Sequence, residues 1–145
     1  MAAEAGLTKG GLQYHFTSKD ELLEAVEHET WRRLDDAALR ALGKEFDEST
    51  PDERLEALIR SSAAGEVRTA DLHLALNTSV SGRLSDLRNT FMDRWTGRDL
   101  RPLTAWQWTA LVASDGLWLH DALDGAHTSE HREESVQIML EMIRK

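Results

Sequence analysis

The stretch Gly6–Leu23, which reads GLTKGGLQYHFTSKDELL, decides the fold predicted for this chain. Gly6 marks a turn, and Thr8 is a residue type that caps the start of a short helix. Ser18 and Glu21 have the spacing of a capping box, which opens the helix that follows. The end of a helix, a tight turn and a short second helix together form a helix-turn-helix. The second helix of that motif is built to lie in a DNA major groove.

The slightly longer stretch Ala3–Leu23 strongly resembles the DNA-binding segment of the TetR family of bacterial transcriptional regulators. Nearly every fixed position of the family pattern is met, including Ala5, Gly6, Leu7, Thr8, Leu12, His15, Phe16, Ser18, Lys19 and Leu22. Family members carry a further helix before this segment and a fuller first helix of the motif. We therefore expect an N-terminally shortened product whose start was placed at an internal valine-type codon. A basic and apolar helix encoded in frame just upstream would support this expectation, and an in-frame stop codon would oppose it.

The resemblance implies a set of DNA-contacting residues. They are Thr8, Lys9, Gly11, Gln13, Tyr14, His15 and Lys19. Lys9 and Lys19 supply positive charge for phosphates, Gln13 can read adenine, and Gly11 allows close backbone approach. Gln13 and Gly11 depart from the residues common in the family, so no operator sequence is implied. The alternative interpretation is a short structural helix with a solvated polar face.

Composition and charge describe an ordinary globular chain with an acidic body. The 145 residues carry a net charge of −9 and no cysteine, which excludes disulfides and thiolate metal sites. The sequence has neither a long apolar run nor a secretory signal, so we expect a cytoplasmic protein. The acidic residues concentrate in Asp20–Glu29 and Asp47–Glu56, whereas the segment before Phe16 is about neutral. This distribution argues against general nucleic-acid coating but permits a local DNA contact.

Helical apolar spacing and only two prolines predict an all-α, TetR-like fold. The helices are expected at Ser18 to Gly43, Thr50 to about Gly65, Thr69 to Ser81, Leu84 to Trp95, Thr104 to Leu123, and from Thr128 or Ser129 onward. In the first of these, the residues expected to face inward are Leu22, Leu23, Val26, Leu34, Ala38 and Leu42. Residues 1–43 are expected to form a partial helix-turn-helix head and connecting helix. Residues 44–145 are expected to form a helical effector-binding and dimerisation domain.

The helix ending at Leu123 is apolar over more than one face, so it must be covered on several sides. A second subunit could supply part of that cover. The resemblance implies the same, because family members dimerise through their last two helices in a four-helix bundle. The residues expected at the dimer interface are Trp108, Leu119, Leu123, Val136, Met139, Leu140 and Ile143.

Four of the five tryptophans lie in the C-terminal half, and two interpretations remain open. The first is packing in the core and the dimer. The second is an apolar effector pocket between helices, as helical bundles provide. The candidate lining residues are Leu72, His73, Leu76, Phe91, Trp95, Trp106, Ala110 and Trp118.

His127–His131 matches the H-x-x-E-H string of some zinc peptidases. A helix cap at Thr128 or Ser129 would leave His127 outside the helix, so the string is interpreted as a polar helix start. We therefore expect no catalytic residues, no metal and no cofactor.

Together these observations predict a TetR-type regulator that is not an enzyme. It would be an effector-released repressor that acts as a homodimer on a palindromic DNA operator and responds to an apolar small molecule, with no membrane association. The alternative is a dimeric small-molecule-binding helical module whose shortened head no longer binds DNA.

Overall fold

The computed structural model describes residues 15–64, 82–97, 101–124 and 131–145. Within these ranges the chain forms five α-helices, one short 3-10 turn and no strand. The helices are α1 (Lys19–Leu42), α2 (Pro51–Ala63), α3 (Gly82–Thr96), α4 (Ala105–Asp124) and α5 (Arg132–Ile143). The all-helical class predicted from the sequence is confirmed. The helix predicted at Thr69 to Ser81 lies outside the described residues.

Both ends of α1 follow from local sequence signals. The Ser18 hydroxyl accepts a hydrogen bond from the backbone N–H of Glu21 at 3.1 Å. The Glu21 carboxylate reaches back to Thr17, one residue before the predicted partner Ser18, and accepts from both the N–H and the hydroxyl of Thr17 at 2.7 Å. At the other end Gly43 adopts the left-handed conformation, with φ of 69°, which glycine tolerates without strain. The predicted bounds of this helix are confirmed.

Reciprocal capping boxes open α2 and α4. The N–H of Thr50 donates to the Glu53 carboxylate at 2.8 Å, and the N–H of Glu53 donates to the Thr50 hydroxyl at 3.3 Å. Thr104 and Gln107 make the same pair of bonds, at 3.1 and 3.2 Å. Lys44 approaches the Glu53 carboxylate to 2.6 Å, and the bonds from Lys44 and Thr50 lower the Glu53 pKa to about 2.

The last helix starts later than predicted. α5 begins at Arg132, and the residue before it, His131, makes no side-chain capping bond. Thr128 and Ser129 were expected to cap it, but they lie outside the described residues. The prediction was wrong in its boundary because a Ser or Thr side chain favours a helix start without determining it. Arg132 instead donates to the backbone carbonyl of Ala63 at 2.8 Å and joins the start of α5 to the end of α2.

The core is built around α2, which packs against all four other helices. Leu55 and Ile59 of α2 are fully buried, and Leu58 is nearly so. The remaining helices each contribute to the same core. Its buried apolar residues are Ala38, Leu55, Ala57, Leu58, Ile59, Met92, Trp95, Ala110, Leu111, Met139, Leu140 and Ile143. Since apolar burial is the dominant favourable term in folding, α2 is the element that positions the others.

A buried glutamine ties the ends of three helices together. Gln107, only 3% exposed, donates to the Asp52 carboxylate at 2.9 Å and to the carbonyl of Ile143 at 3.3 Å. Arg101 also pairs with Asp52 and donates to the Gln107 side-chain oxygen at 3.3 Å. The starts of α2 and α4 and the end of α5 are therefore held at one point.

The connection from α1 to α2, residues 43–49, is fixed by cation–π contacts; we call it the elbow. The Phe46 ring lies beneath two guanidinium groups, those of Arg54 at 3.9 Å and Arg94 at 4.4 Å. Arg54 also donates to the Ser49 hydroxyl at 2.9 Å and to the carbonyls of Phe46 and Ser49. These contacts set the angle at which α1 leaves the core.

A second tie joins α1 to α3. The indole N–H of Trp95, a fully buried residue, donates to the Asp35 carboxylate at 2.7 Å. Arg94 lies 3.6 Å from the other oxygen of Asp35. One turn earlier on each helix, Trp31 and Phe91 pack with ring centroids 5.2 Å apart. The second half of α1 is thus bonded and packed to α3.

Candidate DNA-binding head and dimerisation face

The described structure begins at the junction between the head and α1. Of the seven predicted DNA-contacting residues, Thr8, Lys9, Gly11, Gln13 and Tyr14 lie outside the described residues. His15 and Lys19 lie within them, and both are exposed.

Lys19 is the first residue of α1, so its ammonium group lies at a solvent-accessible helix start. The bonds of Thr17 and Ser18 to Glu21 fix the backbone between His15 and this helix start. The two described residues are therefore presented from one short, hydrogen-bonded segment. This geometry is suited to phosphate contact, because phosphate contacts in protein–DNA interfaces come mainly from exposed cationic and polar side chains.

The first half of α1 differs from its prediction. Leu23 and Val26 were expected to face inward, but they are 37% and 44% exposed. Leu22 is half-buried, whereas Ala38 near the other end is fully buried. The physical reason is that the helix period identifies an apolar stripe without stating where along the helix the neighbouring elements pack.

A comparison with known protein families supports the likeness predicted for the head segment. Residues 1–26 match the model of the family described as bacterial regulatory proteins, tetR family. The match covers 26 of the 145 residues, so the likeness to TetR-family regulators is shown for the head segment. The matched segment includes His15 and Lys19 and ends in the first part of α1. No match was found among curated proteins or among solved structures.

The C-terminal helices present an exposed apolar face on α4. Trp108, Leu119 and Leu123, all predicted for the dimer interface, are 56%, 42% and 67% exposed. Val112 is 50% exposed and completes this row, which we call the α4 stripe (Trp108, Val112, Leu119 and Leu123). The sequence prediction missed Val112, although its position four residues after Trp108 was a usable signal.

The interface residues predicted on α5 lie in the chain's own core or against it. Met139, Leu140 and Ile143 are at most 4% exposed and pack in the chain's own core, and Val136 is half-buried against it. α5 has one apolar row, and that row faces α2 and α4. Ile138, which was not predicted, is the α5 residue with a large exposed apolar side chain. Of the predicted interface residues, Trp108, Leu119 and Leu123 are therefore exposed, whereas those on α5 are buried or half-buried.

The predicted effector-pocket residues are divided among different environments. Trp95 and Ala110 are fully buried in the core, and Phe91 and Trp118 are half-buried. Trp106 is 48% exposed and lies under the ammonium of Lys145 at 4.7 Å. The other predicted members, Leu72, His73 and Leu76, lie outside the described residues.

Two open clefts lie on the described surface, and neither is lined by a predicted pocket residue. One, of about 150 Å³, lies between Leu42 and Arg60, and the other, of about 310 Å³, lies between Ala63 and Arg132. For the described residues, the packing interpretation of Trp95 therefore has direct support in its burial and its bond to Asp35.

In the described part of the chain, no three His, Asp or Glu side chains are grouped so as to hold a metal ion. His131 is exposed and lies 3.6 Å from the Glu134 carboxylate, while His127 lies outside the described residues. Across the same described ranges, no helix is both long enough and apolar enough to cross a membrane.

Proposed function

We propose that this chain is a TetR-family repressor that binds a palindromic operator as a homodimer and is released by an effector. The observation that carries the proposal is the match of residues 1–26 to the tetR family. We assign residues 1–43 to the head and connecting helix, and residues 44–145 to the effector-binding and dimerisation domain. In this assignment the protein is a cytoplasmic binding protein and not an enzyme.

The α4 stripe supports the homodimer. At 100° per residue, Trp108, Val112, Leu119 and Leu123 fall on one side of α4, opposite the buried Ala110 and its neighbours. Contiguous exposed apolar surface in a folded chain marks an interaction site. A two-fold interface uses the same patch on both copies, and a single apolar stripe meets that requirement.

The dimer gives the head its function. Two recognition helices presented by two copies would enter successive major grooves about 34–36 Å apart. Gln13, Tyr14 and His15 would then lie at base edges, with Lys9 and Lys19 at phosphates. The predicted Thr8 and Gly11 contacts complete the same surface.

Effector release requires the two dimer shapes to differ in affinity for DNA. The route available in the described structure runs from the body through α3 to α1, by the Asp35–Trp95 bond and the elbow. An apolar small molecule that shifts α3 against α2 would change the angle of α1, and with it the spacing of the two heads.

The proposal is tested by gel-shift titration of DNA from immediately upstream of the gene. Replacing Lys19 with Ala should weaken binding and lower the steepness of its salt dependence by about one unit, because one phosphate contact is lost. Lys145→Ala is the matched control, since it removes one exposed lysine at the far end of the chain. Tyr14→Ala should also weaken binding while leaving the dimer intact.

Two results would contradict the proposal. A wild-type chain that is monomeric at all concentrations in light scattering would remove the homodimer. A stable dimer that shows no preference for the upstream DNA would favour the alternative, a ligand-binding helical module whose head does not bind DNA. Leu119→Asp, which places a charge in the α4 stripe, should separate the dimer without unfolding the chain.

A further inference from the structure

Glu27 is a buried carboxylate on the side of α1 that also carries Trp31. Of the charged residues in the described ranges, it alone is buried, with 7% of its surface exposed. None of those residues makes a hydrogen bond or an ion pair with its carboxylate. Other buried polar side chains, such as Gln107 and Thr96, are hydrogen-bonded. Because a buried charge is unfavourable unless it is paired, packing within the described chain does not account for Glu27.

The Glu27 carboxylate is desolvated but remains within reach of a small molecule. Burial raises the pKa of this carboxyl, and the charge of Glu24, one turn earlier, raises it further, while His28 acts in the opposite direction. The oxygens of Glu27 are not sealed, because no fully enclosed side-chain oxygen in the described part of the chain lacks a partner. A positively charged group that reached them would supply the missing counter-charge.

An aromatic pair lies one turn after Glu27. Trp31 and Phe91 pack with ring centroids 5.2 Å apart, and both residues are half-buried, so each keeps part of its surface open. Residues four apart on a helix are about 5–6 Å from each other at Cβ. The indole of Trp31 is therefore a neighbour of the Glu27 carboxylate on the same side of α1.

The alignment of α1 with α3 adds an apolar residue at the level of Glu27. The two contacts between these helices, the Trp95 bond and the aromatic pair, each join residues 60 positions apart, so the helices run in parallel. The next step of the same alignment places Leu87, which is half-buried, opposite Glu27. A carboxylate, an indole and an apolar side chain thus occupy neighbouring positions.

This combination is suited to an organic cation. The carboxylate supplies a counter-charge, and the face of an indole attracts a cation through its quadrupole. The apolar side chain can cover hydrocarbon groups around the charge. A metal ion is a poorer fit, because no three His, Asp or Glu side chains in the described ranges are grouped to hold one.

We propose that Glu27 and Trp31 bind the positively charged centre of an organic cation whose apolar groups lie against Leu87 and Phe91. That this cation is the effector rests on the proposed function, and it specifies an apolar effector molecule that carries one positive charge. Glu27 lies on α1 between the tie at Asp35 and the head, so the ligand would contact the helix that carries the head.

The test compares two probes of the same shape and opposite charge, tetraphenylphosphonium and tetraphenylborate. Calorimetric titration measures their binding to the full chain in the absence of DNA. The wild type should bind the phosphonium about tenfold more tightly than the borate, or better. Glu27→Gln should raise the phosphonium dissociation constant about tenfold or more, because the amide keeps the shape and removes the charge. Glu29→Gln is the matched control on the exposed side of α1, and its effect should be less than about twofold.

Thermal stability shows that the loss of binding does not come from unfolding. Without ligand, Glu27→Gln should not lower the melting temperature, because a neutral amide is less costly to bury than an unpaired carboxylate. Trp31→Leu supplies a second binding readout. It should raise the phosphonium dissociation constant about threefold or more, because the attraction of the ring for the cation is lost.

The outcomes separate this inference from the proposed function. A phosphonium dissociation constant that Glu27→Gln leaves unchanged overturns the site, and so does a wild type that binds both probes equally or neither. Gel shifts with the upstream DNA test the effector role. Phosphonium that binds through Glu27 and leaves the gel shift unchanged supports the site and contradicts its role as effector. A chain that never binds the upstream DNA contradicts the proposed function alone, because the titrations contain no DNA.

Discussion

The bond between Trp95 and Asp35 makes a quantitative prediction for Asp35→Ala. The Trp95 indole is fully buried, and its N–H donates to the Asp35 carboxylate at 2.7 Å. Removing the acceptor leaves a buried donor without a partner, which costs about 1–3 kcal/mol. The partly exposed pair with Arg94, at 3.6 Å, adds only about 0–1 kcal/mol. A total near 2 kcal/mol should lower the melting temperature by about 4–8 °C in a chain of this size.

The neighbouring residue provides the control. Asp36 pairs with Arg32 at 2.7 Å on the exposed side of α1, so Asp36→Ala removes the same chemical group at a cost of about 0.3–0.5 kcal/mol. Urea unfolding followed by circular dichroism and tryptophan fluorescence measures both variants. In a Trp95→Phe background, which has no indole donor, Asp35→Ala should cost much less than in the wild type. If Asp35→Ala and Asp36→Ala proved equally mild, the bond would not stabilise the fold and the reasoning would be refuted.

Three further predictions concern the core, the buried glutamine and pH. Leu140→Ala should cost about 2–5 kcal/mol in urea unfolding, because Leu140 is 2% exposed in the chain's own core. A loss of dimer with unchanged monomer stability would contradict its placement. Gln107→Ala should cost about 1–3 kcal/mol and lower hydrogen-exchange protection at the end of α5, because the Ile143 carbonyl loses the Gln107 donor and Asp52 loses one of its two donors. The bonds from Lys44 and the Thr50 cap lower the Glu53 pKa to about 2. The ionised Glu53 carboxylate therefore stabilises the folded chain above the ordinary glutamate pKa, and this contribution to the free energy of unfolding is lost as pH falls from about 4.5 to 2. The melting-temperature difference between wild type and Glu53→Gln should be present at neutral pH and vanish near pH 2; a difference independent of pH would contradict this assignment.

The starts of α1, α2 and α4 and the end of α1 were predictable because their signals are local, whereas the start of α5 was not. The side-chain hydroxyls of Ser18, Thr50 and Thr104 each accept a hydrogen bond from the backbone N–H three residues later, and each thereby caps the start of a helix. Gly43 adopts the left-handed conformation that ends α1. A helix start depends on a side-chain oxygen that accepts from the backbone N–H groups of the first turn, and a left-handed helix end depends on the absence of a Cβ. Both properties follow directly from the residue type. The family likeness of residues 1–26 could be recognised for the same reason, since its pattern is continuous in the sequence.

The direction in which an apolar row faces was not predictable in the same way. The rows of α4 and α5 have similar composition and period, yet Leu119 is exposed whereas Leu140 is buried. The period shows that a helix has an apolar side, but tertiary packing decides whether that side meets its own chain or another. The tie between Asp35 and Trp95 spans 60 residues, and no local pattern pairs two such distant side chains.

The contacts of α1 with α3 at Asp35 and Trp31 leave the first part of α1 as an arm that carries the head. From Trp31 to Lys19 the helix extends 12 residues, which at about 1.5 Å per residue is about 18 Å. A rotation of α1 by about 5° at Trp31 would therefore move Lys19 by about 1.6 Å, about half the rise of about 3.4 Å between successive base pairs. In the proposed function, a small rotation of α1 would thus displace the head by a distance comparable with the spacing of base pairs.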